Sequence, residues 1–323
     1  MSWGNGMPSS SSVFGSRGSI TRRAVLGAAV ALPLAACSAG TDTAAGRAPA
    51  PVSSPESSEK PTRPQRHDRL HELERDYGAR LGVYALATGS GAVVEHRADE
   101  RFAFCSTFKG LAAAAVLQRN PSSHVDTVLT FTEADLLSSS FVTREHVASG
   151  MTIGQLCDAA VRYSDGTAGN LLVRDLGGPG EFTAFLREIG DEVTRMDRPE
   201  PELTEAKPGD PRDTTSPRAI GTDYQGIVLG DVLPEGKRGF LRDLLERNTT
   251  GDERIRAGVP EGWTVADKTG TGSYGTMNDI GIGWPPSGEP LVIAIMSSKA
   301  DPDSDYDQKL IADATEYVVT ALA

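Results

Sequence analysis

The stretch RLGVYALATGSGAVVEHRAD, residues 80–99, reads as two strands folded about a Gly-rich turn at residues 89–91. Its mates lie at the other end of the chain. WTVADKTG (263–270), NDIGIGWPP (278–286) and LVIAIMSSK (291–299) read as three more strands, and a closing helix is expected from about residue 304 to 322. Ahead of the first strand, HDRLHELERDYG (67–78) carries apolar residues near helical spacing and stops at Gly78. The middle, from about residue 106 to 245, reads as mainly helical with many loops, and no internal repeat is visible. Strands at both ends with helices between them predict an antiparallel sheet assembled from the two ends, with helices packed on it, rather than a series of βαβ units.

Length and charge narrow the class. The chain has 323 residues, 35 Gly, 20 Pro and a formal net charge of −12. Residues 1–37 hold three arginines and no acidic residue, so their removal takes the charge to −15. An acidic product argues against nucleic acid as a partner and against a polybasic membrane patch. TRRAVLGAAVALPLAAC (21–37) has the order of an export signal: Arg22 and Arg23, an apolar stretch short for a membrane span, then small residues. The paired arginines resemble a twin-arginine signal. LAAC (34–37) resembles a bacterial lipobox, which implies lipidation of Cys37 and a membrane anchor on the outer face of the cell, with plain secretion as the alternative.

Residues 38–66, rich in Ala, Pro, Ser and Thr, are expected to form a disordered tether. That leaves 67–323 as the folded part. Cys105 and Cys157 are expected to be small buried hydrophobes rather than a disulfide. His67 and His71 have HxxxH spacing, but no third ligand accompanies them, so no metal site is expected.

Four short segments carry chemistry. FCSTFKG (104–110) sets Lys109 one helical turn from Ser106, with Ser106 expected to open a helix. A lysine in an apolar run must either snorkel to water or lose part of its preference for the charged form. On its own SxxK occurs by chance in many proteins. YSDGTAGN (163–170) places Ser164 and Asp165 in a turn before a helix that contains Asn170. RMDRPEPELTEAKPGDPRDTTSP (195–217) reads as an ordered surface loop carrying Glu200 and Glu202. DKTGTGSYG (267–275) puts Lys268, Thr269 and Gly270 on a strand.

SxxK, a middle SD motif and KTG, in that order, form the signature of class A β-lactamases and penicillin-binding proteins. From about residue 67 to 323 the chain resembles a class A serine β-lactamase. EPEL (200–203) matches the active-site loop that separates these enzymes from their peptidase relatives, and RIRAGVP (254–260) resembles a subgroup with an arginine ahead of the KTG strand. The resemblance implies an α/β part (about 67–104 and 250–323), a helical part (about 105–249) and a site in the cleft between them. It implies hydrolysis of penicillins and cephalosporins, antibiotic resistance and no cofactor; the oligomeric state stays open, with a monomer as the default expectation.

The same resemblance assigns roles. Ser106 would attack the lactam carbonyl and form an acyl-enzyme. The five histidines, at 67, 71, 96, 124 and 146, fall in none of these motifs, and no GxSxG surrounds Ser106, which leaves Lys109, Glu200 or both as base. Glu200 would activate the water that hydrolyses the acyl-enzyme, although by chemistry alone Glu202 could serve. Ser164 would pass a proton to the departing nitrogen, held by Lys268. Backbone N–H groups of Ser106 and Thr271 would form the oxyanion hole. Thr269 and Arg254 would bind the substrate carboxylate, unless Arg254 is a surface arginine, and Gly270, Thr271, Gly166, Thr204 and Asn170 would line the substrate site with them. Arg256 is expected to be structural, and Arg198 and Asp213 to pair across the ends of the loop.

The chain departs from the family pattern at three places. Gly166 stands where many members have an asparagine that contacts the substrate's acylamide, and is expected to open space. Thr204 replaces an asparagine that helps to hold the hydrolytic water. LLSSSF (136–141) puts serines where many members have an aromatic at the cleft mouth. The competing readings are a D,D-carboxypeptidase of the cell wall, against which EPEL weighs, and a β-lactam-binding sensor lipoprotein that acylates without efficient turnover.

Overall fold

A computed structural model describes residues 67–322. The export signal, Cys37 and the tether lie outside the described residues. Along the chain the elements are α1 (Asp68–Tyr77), β1 (Arg80–Ala87), β2 (Val93–His96), β3 (Phe102–Ala103) and α2 (Phe108–Arg119). Then come β4 (Val128–Leu129), β5 (Met151–Thr152), α3 (Ile153–Arg162), α4 (Gly166–Leu176), α5 (Pro179–Glu188), β6 (Thr214–Thr215), α6 (Pro217–Val228) and α7 (Glu235–Glu246). The chain ends with α8 (Ile255–Gly258), β7 (Thr264–Gly272), β8 (Thr276–Trp284), β9 (Leu291–Ser298) and α9 (Gln308–Leu322).

The five longer strands form one antiparallel sheet in the order β2-β1-β9-β8-β7. The first strands thus pair with the last, as the sequence order predicts. In register, Val83 faces Ile295 across β1 and β9, and Lys268 faces Ile280 across β7 and β8. The sheet is covered on both faces, which explains why β9 is an unbroken apolar run rather than an alternating one. Ile293 and Ile295 join a core with Leu70 and Leu73 of α1 and Ile311 and Val318 of α9. Val292, Ala294 and Met296 face the larger core, with Ile220 and Tyr224 of α6 and Leu111 of α2. Each such fully buried aliphatic side chain contributes about 1.5–3 kcal/mol.

Gly78 ends α1 in the left-handed conformation, its N–H donating back to the Arg75 carbonyl and that of Ala79 to the Glu74 carbonyl. Helix α2 is apolar all round and buried from Phe108 to Leu117, Lys109 included, because other helices and the sheet surround it. The pair β3–β6 ties the segment before α2 to the end of the loop before α6. Helix α6 adds a second tie: the Tyr224 hydroxyl, fully buried, donates to the Thr107 carbonyl at 2.7 Å. That contact lies one residue from Ser106.

Tyr224→Phe is expected to lower stability by about 1 kcal/mol, since a buried carbonyl loses its only side-chain donor while the ring still packs. Urea unfolding followed by fluorescence would read this as a lower midpoint with unchanged slope.

Candidate active site

Ser106 sits in a single 3-10 turn, Cys105–Thr107, that leads into α2, so it precedes the helix that it was expected to open. The turn is pinned from several sides. Thr107 Oγ1 donates to the Phe104 carbonyl at 2.8 Å, and Phe104 N–H donates to the Asp213 carbonyl at 3.2 Å. The buried Asn278 amide on β8 donates to the carbonyls of Ala103 and Phe104 at 2.9 and 3.1 Å. Cys105 and Ser164 both occupy the left-handed region, at φ 48° and 56°. Each such residue costs on the order of 1–3 kcal/mol, and here the surrounding bonds hold it.

Lys109 has no exposed surface, and three acceptors meet its ammonium. They are Ser106 Oγ at 2.9 Å, the Ser164 carbonyl at 2.8 Å and Glu200 Oε1 at 2.9 Å. Ser106 Oγ in turn donates to Glu200 Oε1 at 2.9 Å. The hydroxyl is therefore equally close to an ammonium, which must first give up a proton to act as a base, and to a carboxylate that can take its proton directly.

Glu200 comes from the loop between α5 and β6 and is almost fully buried. Asn170 of α4 holds its backbone at both ends: the Asn170 amide donates to the Glu200 carbonyl at 2.8 Å and accepts from its N–H at 2.9 Å. The base of the loop closes on Asp213, which accepts from Asp197 N–H at 2.7 Å, Arg198 N–H at 3.0 Å and Arg198 Nε at 2.6 Å. The expected Arg198–Asp213 pair is thus present. Glu202, the alternative carboxylate, is exposed.

Ser164 presents its carbonyl to Lys109 and its hydroxyl to Lys268, whose ammonium lies 3.1 Å away. Lys268 also donates to the Thr269 carbonyl at 3.0 Å. Burial, with the charge of Lys109 adding to it, brings the Lys268 ammonium down to a pKa of about 7. Strand β7 is an edge strand of the sheet, and it meets the serine turn at its two glycines. A Cβ on Gly270 would stand 2.6 Å from the Phe104 carbonyl, and one on Gly272 would stand 2.7 Å from both Cys105 Sγ and the Thr204 carbonyl.

Arg254 is buried behind β7. It donates to the carbonyls of Gly270 (3.1 Å) and Asn278 (2.8 Å), to Thr271 Oγ1 (2.9 Å) and to Gln308 (3.0 Å). The surface-arginine alternative is ruled out. Arg256 is structural as expected, pairing with buried Asp267. Cys105 and Cys157 are buried free thiols. Burial pushes both up, Cys157 to about 12, and Glu200 adds to the effect at Cys105, so neither offers a thiolate at neutral pH.

Three expectations need correction. Gly166 opens no space: a Cβ there would stand 2.3 Å from Ser139 Oγ and 2.4 Å from Glu200 Oε2, so those two side chains fill the volume. The Thr204 hydroxyl, expected among the substrate-binding groups, donates instead to the Pro201 carbonyl of its own loop at 2.7 Å. Asn170, expected among the substrate-binding residues, has its amide committed to the backbone of Glu200.

Sequence reasoning also missed three positioning residues. Fully buried Asp165 caps α4 through Ala168 N–H (2.9 Å) and takes the N–H groups of Val142 and Thr143 (2.8 and 2.9 Å). Thr250 hydrogen-bonds Thr269 hydroxyl to hydroxyl, and Asn278 anchors the serine turn. Asp165 was legible as an N-cap. Asn278 stood out only as a polar residue in an apolar strand, and Thr250 carried no local signal.

A family profile described as "Beta-lactamase enzyme family" matches residues 65–322. The chain is 56% identical over 262 residues to "Beta-lactamase" of Mycobacterium tuberculosis (strain ATCC 25618 / H37Rv), covering 79% of this chain and 85% of that protein. It is similar to the structure titled "Crystal structure of a halotolerant bacterial beta-lactamase", with TM-score 0.78, 54% identity and coverage of 79% of this chain and 98% of that one. It is also similar to the class A beta-lactamase from Clostridium kluyveri DSM 555, with TM-score 0.78, 46% identity and coverage of 79% and 97%.

Gly270→Ala is expected to push the serine turn off β7, because the added methyl meets a backbone carbonyl that cannot swing aside. A displacement near 1 Å predicts a loss of turnover of about 100-fold, larger in kcat than in KM. Steady-state kinetics on the purified variant would check it.

Proposed function

The chain belongs to the class A β-lactamase family, and on that premise we propose that it opens the β-lactam ring of penicillins and cephalosporins through an acyl-enzyme on Ser106, hydrolysed by a water that Glu200 activates. β-Lactam hydrolysis, an activity that confers resistance to these antibiotics, is the property of the family. The observation that carries the serine mechanism is the position of Ser106 Oγ, 2.9 Å from both Lys109 Nζ and Glu200 Oε1.

In the first half-reaction Ser106 Oγ bonds to the lactam carbonyl carbon, and its proton passes to Glu200 or to a neutral Lys109. The tetrahedral oxyanion is taken by the backbone N–H groups of Ser106 and Thr271, each such donor supplying about 2.7–4 kcal/mol. The ring C–N bond then breaks, and the nitrogen receives a proton from the Ser164 hydroxyl, which Lys268 contacts at 3.1 Å; the proton taken from Ser106 replaces it on Ser164, so Glu200 is again a carboxylate when the water arrives. In the second half-reaction a water gives its proton to Glu200 and attacks the ester, and Ser106 leaves with a proton. Thr269, Thr271 and Lys268 line β7 where the substrate carboxylate is received, and Arg254 sets the Thr271 hydroxyl from behind. Lipidation at Cys37 would hold the domain at the outer face of the membrane, where the antibiotic arrives.

Intact mass spectrometry of two variants mixed with penicillin tests the assignment. Glu200→Gln is expected to gain one penicillin mass and keep it for minutes or longer, while Ser106→Ala gains none. An adduct on Ser106→Ala would remove Ser106 as the nucleophile, and rapid turnover by Glu200→Gln would remove Glu200 as the deacylating base.

Lys268 sets a second expectation. Its ammonium, at about 7, is charged at lower pH and attracts the substrate carboxylate; as pH rises through that value the attraction is lost. The free-enzyme profile, kcat/KM against pH, should therefore fall on its alkaline side. Lys268→Arg keeps a permanent charge and should flatten that limb at a lower overall rate. An unchanged limb in the variant would assign it to another group.

A further inference from the structure

The opposite edge of the sheet carries a second cluster of chemistry-bearing residues. His71 and Glu74 lie on α1, and His96 ends the edge strand β2. One ligand atom from each of the three lies within 4.8 Å of the other two. Glu74 Oε2 is 3.3 Å from His96 Nε2 and 3.7 Å from His71 Nδ1. The two imidazoles meet edge to face, with centroids 4.5 Å apart. Tetrahedral zinc with bonds of 2.0–2.1 Å separates its ligand atoms by about 3.3 Å, close to these spacings.

We propose that His71, Glu74 and His96 form a binding site for a divalent transition-metal ion of the zinc type, remote from the catalytic cleft. Two imidazoles and one carboxylate make a donor set of borderline softness, which suits zinc rather than calcium or magnesium. His96 is buried, and its Nε2, although 3.3 Å from Glu74 Oε2, makes no hydrogen bond among the described residues. A buried nitrogen left in that state is unusual unless something else is to occupy its lone pair. His71 is half-exposed and gives the ion a path from solvent.

The remaining contacts are compatible. Glu74 Oε1 is engaged by Leu81 N–H at 2.9 Å and Arg97 Nε at 2.7 Å, which orients the carboxylate and leaves Oε2 toward the imidazoles. Arg97 Nη2 also reaches Oε2, at 3.2 Å, and is the one opposing feature. Its charge is shared with Glu100 at 3.1 Å, so a metal needs to displace that single longer bond. The HxxxH pair in the sequence was the wrong pair: His67 bonds the Tyr317 hydroxyl at 2.7 Å instead. The third ligand comes from β2, 25 residues beyond His71, and only the fold brings it there.

The ion would clip α1 to the sheet edge and stabilise the folded state by binding it selectively. Because β2 and β7 are at opposite edges, turnover is not the readout. Full-length untagged protein, stripped with chelator, would be titrated with zinc chloride against a chromogenic zinc indicator and melted with and without zinc. The expected result is one equivalent bound with a rise in melting temperature, affinity weakened at least about tenfold in His71→Gln and in His96→Gln, and no change in His124→Gln. His71 is partly exposed, so its variant folds even where the His96 variant does not. Zinc bound equally well by wild type and His71→Gln, or no zinc-dependent shift in wild type, would overturn the proposal.

Discussion

The structure turns on one buried charge. Lys109 has no contact with solvent, and an ammonium in that position is tolerable only if every proton finds an acceptor and a counter-charge stands close by. Three separate segments meet that demand: the serine turn through Ser106 Oγ, the α3–α4 connection through the Ser164 carbonyl, and the loop after α5 through Glu200. The convergence that solvates the lysine is the same convergence that brings together the groups proposed as nucleophile, base and proton relay. Stability and chemistry therefore share one set of contacts, and removal of any one group leaves the others buried and unpaired.

The rest of the fold keeps that convergence in register. The sheet, packed on both faces, is a rigid wall whose edge strand β7 carries Lys268 and lets the serine turn approach at Gly270. Asp213 and Asn170 close the base and the middle of the Glu200 loop, so hydrogen bonds from outside it hold this irregular segment in place. Left-handed backbone at Cys105 and Ser164 is the local strain this arrangement sustains.

Much of this was legible in the sequence. Five strands and the closing helix followed from apolar runs and Gly stops, and the pairing of first with last strands followed from their placement at the two ends. Ser106, Lys109, Ser164, Glu200 and Lys268 were identified from short motifs, and the fold brings them together. What failed was whatever depends on contacts across the fold. Gly166 looked like a gap because glycine lacks a side chain, but Ser139 and Glu200 come from elsewhere to fill it. Thr204 was judged by its hydroxyl, which a neighbouring carbonyl had already claimed. Arg254 was expected to meet the substrate carboxylate, with a surface arginine as the alternative, but it is buried and its guanidinium is spent on the Gly270 and Asn278 carbonyls, Thr271 and Gln308. His71 and His96 are 25 residues apart, and no local pattern links them.

The central claim is that Ser106 is both readily acylated and readily released because Lys109 and Glu200 share it. The most direct test mixes the wild-type protein with an excess of chromogenic cephalosporin in a rapid-mixing device while intact mass is sampled in parallel. The account predicts many turnovers per site, with an adduct seen only transiently. One equivalent of colour followed by a stable adduct would contradict it, leaving Ser106 a working nucleophile in a site that cannot deacylate.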